Sequence, residues 1–238
     1  MNLKAVWHDL ECGAYREDLP LWRELADRTG GPVLDIGAGT GRVTLDLAAR
    51  GVEVVALDFC PPLLTALARR GEGLPVSTAV ADARDFRLGR QFSLILVPMQ
   101  TLQLLGGPSS RGAFLRCALA HLRPGGLLAA ALADAMDCFD DDHDLPPPPQ
   151  ARQILGVLYS SQLLRVVEDE GRAAIHRRRE IDGGETQEVV VHLDRASADQ
   201  VSAEAQEIGL VPEPLLYIDE TDQYLGSTVV VLRAPESR

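Results

Sequence analysis

The sequence predicts an α/β protein with a doubly wound, mostly parallel sheet and a small β-rich insertion after the fifth strand. Short apolar runs alternate with amphipathic segments through residues 31–135, which is typical of a parallel sheet with helices on both faces. The run Phe92–Val97 is apolar almost throughout, as expected of a strand buried on both faces. After the four prolines that end at Pro149, glycine-containing turns separate strand-like segments.

The first half of the chain begins with a predicted helical segment, Leu10–Arg28, and then alternates strands with helices. Proline suits the first turn of a helix, so we expect a helix to begin at Pro61, and Gly71 stops it. The predicted strands are Val33–Ile36, Glu53–Leu57, Pro75–Val80, Phe92–Val97 and Leu127–Leu132. The predicted helices between them are Arg42–Arg50, Pro61–Gly71 and Pro108–His121.

The second half changes character at Asp137–Pro149, an acidic and proline-rich stretch that predicts an exposed loop. Three strands follow, and we interpret them as an antiparallel inserted sheet. They are Gly156–Val167, Ala173–Ile181 and Gln187–Leu193. A helix and two strands then complete the main sheet, at Ser197–Ile208, Val211–Ile218 and Ser227–Leu232. We expect one domain, with a helical cap at 1–30, a cofactor-binding core at 31–135, inserted strands at 150–195 and completion of the sheet at 196–238.

The composition narrows the range of partners. The 238 residues carry a formal net charge of -12, which disfavours nucleic acid or an anionic membrane as a partner. The basic run His176–Arg179 alternates with isoleucines like the solvated side of a strand. Four scattered cysteines without metal-ligand spacing predict free thiols and, with no signal-peptide pattern, a cytoplasmic protein. The sequence is compatible with a homodimer but does not determine the oligomeric state.

A glycine loop follows the first strand and reads Asp35-Ile36-Gly37-Ala38-Gly39-Thr40-Gly41. A dinucleotide fingerprint has the spacing G-x-G-x-x-G, whereas this loop is G-x-G-x-G with Arg42 in the place of the last glycine. In a dinucleotide site a pyrophosphate lies against the helix N-terminus. A carboxylate two residues before the loop would oppose that anion, so the loop suits a cationic group.

In this motif the sequence resembles the class I S-adenosylmethionine-dependent methyltransferases, whose first motif has the form D-x-G-x-G-x-G. The resemblance implies a Rossmann-like methyltransferase sheet with an antiparallel last strand, S-adenosylmethionine as cofactor and S-adenosylhomocysteine as product. It also implies that the cofactor's aminobutyrate tail packs on the loop and that Asp35 helps to hold its ammonium group. Glycines permit the close backbone approach that such packing requires.

Two further acids follow predicted strands. Asp58 ends the second strand, and a carboxylate there can accept strong hydrogen bonds from two ribose hydroxyls, although it could instead cap the Pro61 helix. Asp82 follows the third strand, where similar methyltransferases use an acid for the adenine amino group and the next N–H, here that of Ala83, for a ring nitrogen. We expect the acids at one carboxyl edge of the sheet, where open α/β sheets bind ligands.

The segment after the fourth strand, Pro98 to Gln103, is expected beside the sulfonium methyl group. The wider run RQFSLILVPMQTLQLL, together with the earlier run REDLPLWRELA, resembles small-molecule methyltransferases. These include sugar N-methyltransferases, some of which carry a histidine where Gln103 stands. Because glutamine cannot take a proton, methylation of an aminosugar is not favoured, and the sequence identifies no persuasive catalytic base. Gln100 and Gln103 are candidates for acceptor contacts, with a solvent-facing role as the alternative. The predicted cofactor-binding residues are Tyr15, Asp35, Gly37, Ala38, Gly39, Gly41, Asp58, Phe59, Asp82, Ala83, Pro98 and Met99.

The acidic run Asp137–Asp144 raises the hypothesis of a magnesium site, because that ion prefers oxygen ligands. Catechol-type methyltransferases, however, place acids directly after the fourth strand, where this chain has Pro98-Met99-Gln100. We therefore predict no metal site. The expected activity is in-line methyl transfer to a nitrogen or oxygen of a small molecule. The alternatives are an NAD-dependent oxidoreductase and a non-catalytic S-adenosylmethionine-binding module.

Overall fold

The computed structural model of the chain describes residues 2–138, 148–221 and 224–236. It divides the chain into two compact units. The insertion unit comprises Met1–Ala14 and Asp134–Arg195, and the core unit comprises Tyr15–Ala133 and Ala196–Arg238. Each unit is described by itself.

The helices are α1 (Leu3–Cys12), α2 (Leu19–Thr29), α3 (Arg42–Ala49), α4 (Pro61–Arg70), α5 (Pro108–His121) and α6 (Ala198–Glu207). Two short 3₁₀ turns lie at Thr101–Leu105 and Ala135–Cys138. The strands are β1 (Val33–Ile36), β2 (Val54–Asp58), β3 (Val76–Val80), β4 (Phe92–Val97), β5 (Leu122–Leu132), β6 (Gln150–Ile154), β7 (Val157–Asp169), β8 (Arg172–Ile181), β9 (Glu185–Asp194), β10 (Val211–Pro212), β11 (Leu216–Ile218) and β12 (Ser227–Arg233).

The core unit contains a sheet in the order β10-β12-β5-β4-β1-β2-β3, and β11 also pairs with β12. Strands β1 to β5 are parallel to one another, and β12 runs antiparallel to β5. The predicted mostly parallel sheet with an antiparallel last strand is therefore confirmed. The single strand predicted at Val211–Ile218 is wrong. Pro214 lies in the break between β10 and β11, and two short strands result because proline cannot donate to a strand ladder.

The strand order of the core sheet reverses at β1, because β2 lies on one side of it and β4 on the other. Successive side chains of a strand point to opposite faces. Accordingly, Leu34 packs with Phe114 in one apolar cluster, whereas Val33 packs with Trp22 in the other. The sheet is thus covered on both faces, and sheets of this kind bind ligands beyond the carboxyl ends of the strands at the switch point.

The insertion unit is an antiparallel sheet in the order β6-β7-β8-β9. The three predicted strands are confirmed, but β6 is a fourth that its polar sequence, QARQI, did not reveal. Helix α1 packs Trp7 edge-on against Tyr159, with ring centroids 5.6 Å apart. Arg179 binds both oxygens of Glu11, so the prediction that the basic run is simply a solvated face is wrong for this residue.

The predicted helix Leu10–Arg28 is also wrong, because two helices occupy this region. Helix α1 ends at Cys12, and the N–H of Gly13 caps it by donating to the Asp9 carbonyl at 3.0 Å. Helix α2 begins at Leu19 with Pro20 in its first turn, where proline starts a helix more readily than it continues one. Helix α1 belongs to the insertion unit and α2 to the core unit, so the region expected as a 1–30 cap is divided between them.

Within the described ranges, no helix has the length and apolar character needed to cross a bilayer. Cys12, Cys60 and Cys117 form no disulfide within the described residues.

Candidate functional site

The three acids singled out in the sequence lie at one edge of the core sheet. Asp35 is in β1 opposite Ala56, and Asp58 ends β2 opposite Val80. Asp82 follows β3 by two residues. Because these strands are parallel neighbours, their carboxyl ends meet at the same edge of the sheet. The convergence expected from the sequence is therefore present in the structure.

The glycine loop after β1 folds over the end of β2. The N–H groups of Gly37 and Ala38 donate to the Leu57 carbonyl at 2.8 and 3.0 Å, and the Gly39 N–H donates to Asp58 Oδ2 at 2.9 Å. Gly37 has a φ of 68°, and a Cβ there would lie 2.5 Å from Thr101 Cγ2. Both the backbone conformation and the space thus require glycine at position 37.

Asp35 has an incompletely satisfied carboxylate. The residue is 1% exposed, and its Oδ2 accepts a hydrogen bond from Thr44 Oγ1 at 2.6 Å. Its Oδ1 is buried without a hydrogen-bond partner among the residues that the structure describes. Burial raises the pKa of Asp35 to about 7, against the hydrogen bond from Thr44 and the positive charge of Arg42.

A buried acceptor without a donor is costly and calls for an explanation. The ammonium group of S-adenosylmethionine would supply both a donor and a countercharge to Asp35 Oδ1. Gly37, Gly39 and Gly41 all have positive φ values, so the backbone of the loop turns beside Asp35 in a conformation that glycine permits. The residues present therefore fit the amino-acid end of this cofactor.

Asp58 is buried and accepts two backbone hydrogen bonds, from Gly39 to Oδ2 and from Cys60 to Oδ1 at 2.8 Å. Helix α4 begins at Pro61 with Cys60 as its N-cap residue, so Asp58 does not cap its first turn. A carboxylate has about four acceptor sites, which leaves capacity for ribose hydroxyls. The next residue, Phe59, is 79% exposed and presents an apolar ring beside the site.

Asp82 differs from the other two acids because it is exposed and paired within its own loop. Its Oδ2 accepts from Arg84 Nη2 at 2.6 Å, and its Oδ1 accepts from Arg84 Nε at 2.9 Å and the Arg84 N–H at 2.8 Å. These hydrogen bonds from Arg84 lower the pKa of Asp82. The sequence reasoning did not foresee this partner, although an arginine two residues further on was visible. Ala83, between them, is half-buried against the core.

The segment after β4 contacts the glycine loop. Pro98 is buried, and its carbonyl accepts a hydrogen bond from Thr101 Oγ1 at 2.9 Å. Met99 has a φ of 55°, a conformation that side-chain-bearing residues seldom adopt and that often marks functional sites. Met99 packs against the apolar cluster that contains Tyr15.

The side chain of Gln103 is already engaged by the chain. It is 3% exposed, its amide nitrogen donates to the Ala133 carbonyl at 2.9 Å, and its amide oxygen accepts from the Ala133 N–H at 3.1 Å. It thereby extends the hydrogen-bond pattern beyond the end of β5. These two hydrogen bonds hold the Gln103 side chain against the backbone of Ala133. A contact between Gln103 and the methyl acceptor therefore stays a prediction. Gln100 is half-buried at the start of the 3₁₀ turn.

Tyr15 lies in the core unit just before α2 and is 4% exposed. Its hydroxyl lacks a hydrogen bond of ordinary geometry within the described ranges, although Ser227 approaches closely enough to lower its pKa slightly. Burial and the nearby charge of Asp18 nevertheless raise the pKa of Tyr15 to about 12. The ring packs against Tyr224 at 4.7 Å, a neighbour that the sequence pattern did not indicate.

Among residues 2–138, 148–221 and 224–236, no three His, Cys, Asp or Glu side chains are arranged to hold a metal ion. Most of the acidic run considered for magnesium lies at 139–144, outside the described residues. That hypothesis is therefore not tested.

Three comparisons with known proteins bear on this site. Residues 33–126 match the sequence model of a methyltransferase domain. Cypemycin N-terminal methyltransferase from a Streptomyces species is 30% identical over 144 residues, covering 60% of this chain and 56% of that protein. Magnesium-protoporphyrin O-methyltransferase from Rhodobacter capsulatus is 42% identical over 76 residues, covering 29% of this chain and 32% of that protein. The chain thus spans about half and about a third of these curated relatives.

The sugar N-methyltransferase KedS8 from Streptoalloteichus sp ATCC 53650 has the same fold, with a TM-score of 0.76 at 20% identity. The likeness covers 99% of this chain and 94% of that one. None of these comparisons favours an NAD-dependent oxidoreductase. The matched range 33–126 contains the glycine loop and all three acids of the sheet edge. Residues 33–126 therefore match a methyltransferase domain in sequence, and the chain shares its fold with a solved methyltransferase.

Proposed function

We propose that the protein transfers the methyl group of S-adenosylmethionine to an amine nitrogen of a small molecule. The observation that carries the proposal is the buried, unpartnered Oδ1 of Asp35 beside the glycine loop. An ammonium group satisfies that oxygen, whereas a pyrophosphate would be repelled by it. The cofactor supplies a methyl group already activated on a sulfonium.

The positions of the remaining residues along the sheet edge suggest which part of the cofactor each of them binds. Asp58 keeps free acceptor sites for the ribose hydroxyls, and Phe59 and Ala83 flank the adenine beside Asp82. The glycine loop, including Ala38, Gly39 and Gly41, holds the methionine end with Asp35. Pro98 and Met99, which follow β4, lie next to the methyl group. These assignments are inferences from burial, free hydrogen-bonding capacity and position along the edge.

An amine is preferred as acceptor because the described segment after β4 lacks an ionisable side chain. Residues 98–103 read Pro-Met-Gln-Thr-Leu-Gln, and Gln103 is fully occupied by Ala133. A neutral amine needs only correct positioning, which can account for about 7–11 kcal/mol of a barrier. A hydroxyl would benefit from a general base. The name of the cypemycin methyltransferase also indicates a nitrogen acceptor.

Transfer to oxygen is the second candidate, and the name of the magnesium-protoporphyrin relative supports it. The net charge of -12 favours the amine, since a negatively charged protein attracts cationic amines more strongly than neutral alcohols. Such an amine releases its proton to solvent before the neutral nitrogen attacks the methyl group. No nucleic-acid or membrane partner is proposed. We also infer a cytoplasmic location from the scattered free thiols, which cell fractionation would test.

Two measurements on the full chain test this function. S-Adenosylhomocysteine should raise the melting temperature more than NAD at equal concentration, and a larger shift with NAD would contradict the cofactor assignment. Methyl-labelled S-adenosylmethionine should then label amines in a panel of matched amine and alcohol pairs. Labelling of the alcohols alone would favour oxygen transfer. Binding of S-adenosylhomocysteine without labelling of any acceptor across a broad panel would favour the non-catalytic alternative.

A further inference from the structure

Two buried charged side chains beside the glycine loop do not interact with their own helices in the usual way. Arg42 is the first residue of α3, where the positive end of the helix dipole disfavours a cation. Asp18 is the N-cap residue of α2, yet its side chain makes no capping hydrogen bond. The two side chains are only 7% and 1% exposed. Residues that contradict the usual preferences for charge and capping at helix ends often lie at functional sites.

Arg42 and Asp18 bind each other and fix neighbouring groups. Arg42 Nη1 and Nη2 donate to the two carboxylate oxygens of Asp18, the second at 2.6 Å. Trp22 Nε1 also donates to Asp18 Oδ2, at 2.7 Å. Arg42 Nη1 donates in addition to the Tyr15 carbonyl at 3.1 Å, and the guanidinium carbon lies 5.0 Å from the Tyr15 ring centroid. One guanidinium therefore joins the start of α3, the start of α2 and Tyr15.

The same arginine adjoins the acid of the glycine loop. Arg42 follows Gly41 directly, and its charge lowers the pKa of Asp35 whereas that of Asp18 raises it. Two buried polar atoms in this neighbourhood lack partners of ordinary geometry within the described residues, namely Asp35 Oδ1 and the Tyr15 hydroxyl. One is an acceptor and the other a donor, which matches the ammonium and the carboxylate of an amino acid.

We propose that Arg42, locked by Asp18, is a positioning residue that holds Tyr15 at the glycine loop, so that Tyr15 and Asp35 together bind the amino-acid end of the cofactor. Asp35 Oδ1 accepts from the ammonium, and the Tyr15 hydroxyl donates to the carboxylate. This inference rests on the proposed function, because it concerns the same cofactor. Arg42 itself does not touch the reacting atoms.

The test compares a ligand that carries the amino-acid tail of the cofactor with one that lacks this tail. S-Adenosylhomocysteine carries the amino-acid tail, and 5′-methylthioadenosine keeps the adenosine and the thioether without it. The variant Arg42→Met/Asp18→Asn removes both charges, since removing one alone would leave a buried charge unpaired. Calorimetric titration of the full chain should show about tenfold weaker binding of S-adenosylhomocysteine, as expected for loss of charge-assisted hydrogen bonds, and less than about twofold weaker binding of methylthioadenosine.

A matched control is Arg23→Met. Arg23 also joins α2 to α3, through a 2.6 Å ion pair with Asp46, but its side chain is 35% exposed. Loss of this pair should leave the dissociation constants of both ligands unchanged. Arg42→Lys should recover part of the affinity, because lysine keeps the charge but not the bidentate geometry.

Equal weakening of both ligands by the double variant would overturn the inference, because it would show that Arg42 supports the site as a whole. Unchanged binding of both ligands would also overturn it. If the double variant does not fold, Tyr15→Phe removes only the hydroxyl and should weaken the homocysteine ligand selectively; unaltered binding would contradict the proposal. If wild-type protein binds neither ligand, the proposed function itself fails, and the inference falls with it.

Discussion

The two ends of the candidate cofactor site contain the same kind of residue in opposite surroundings. At the methionine end, Asp35 is 1% exposed, one of its oxygens lacks a partner within the described ranges, and burial raises its pKa to about 7. At the adenine end, the side chain of Asp82 is 45% exposed, and hydrogen bonds from Arg84 lower its pKa. Both acids lie at the carboxyl edge of one parallel sheet.

The difference shows that sheet topology brings acids together, whereas burial determines what each of them contributes. A charge pair in a low-dielectric interior interacts far more strongly than one at the surface, where an exposed ion pair contributes little. Asp35 is thus poised to gain much from a cation, because its Oδ1 has no hydrogen-bond partner within the described ranges. Asp82 gains less, since Arg84 already supplies a countercharge. We expect the binding energy of the cofactor to be concentrated at the methionine end.

The largest effect is expected for Asp35→Asn. This substitution keeps the shape of the side chain but removes the negative charge that would face the ammonium group. S-Adenosylhomocysteine should bind about 10- to 100-fold more weakly, since hydrogen bonds to charged groups contribute about 1.5–3 kcal/mol. Titration calorimetry measures the affinity. The melting temperature at pH 8 should stay level or rise, because a buried carboxylate is no longer desolvated. An unchanged affinity would contradict the expectation that the methionine end contributes more binding energy than the adenine end.

The pH dependence of binding should follow Asp35. Burial raises the pKa of Asp35 in the folded protein to about 7 from its ordinary value of 3.8. Between about pH 4 and pH 7 the folded protein therefore keeps a proton on Asp35 that the unfolded chain has released. Stability without ligand should therefore fall from about pH 4 to about pH 7 through this group and level off above.

Binding of a cationic ammonium requires the ionised form of Asp35. Affinity for S-adenosylhomocysteine should consequently rise by up to about tenfold per pH unit as pH increases towards 7 and then level off. Calorimetry between pH 5 and pH 8 measures this slope. Asp35→Asn should abolish it, whereas a slope that persists in the variant would assign the titration to another group.

Gly37→Ala should disturb the methionine end by steric means. Its φ of 68° is unfavourable for alanine, and the new Cβ would lie 2.5 Å from Thr101 Cγ2. The free energy of unfolding should fall by about 1–3 kcal/mol, with weaker binding of S-adenosylhomocysteine. Gly73→Ala is the control, because Gly73 has a φ of 81° and open space around it. Adding Thr101→Ala should restore part of the loss, and a similar loss in both glycine variants would implicate backbone strain alone.

The smallest effect is expected for Asp82→Asn at the adenine end. The acid is exposed and already paired with Arg84, so the affinity for S-adenosylhomocysteine should fall by less than about fivefold. The loss should shrink further at high salt, because exposed charges are screened. Arg84→Ala should change affinity by a similarly small factor. A loss larger than that of Asp35→Asn would reverse the ranking of the two ends.

The sequence alone determined which acids share an edge of the sheet. Asp35 and Asp58 stand in apolar runs and Asp82 follows one, and parallel strands bring such positions to a common edge. The spacing of the glycine loop likewise separated this site from a dinucleotide fingerprint. Local patterns were less informative where they were polar or broken by proline, as β6 and the split between α1 and α2 illustrate.

Tertiary structure alone decided the partners and the energetics of the same residues. Gln103 meets Ala133 across 30 residues of chain, and Arg42 meets Asp18 across 24. Periodicity and spacing encode backbone geometry within one element, but they carry no information about which side chain from a distant element arrives nearby. Burial follows from that packing, and with it the raised pKa of Asp35.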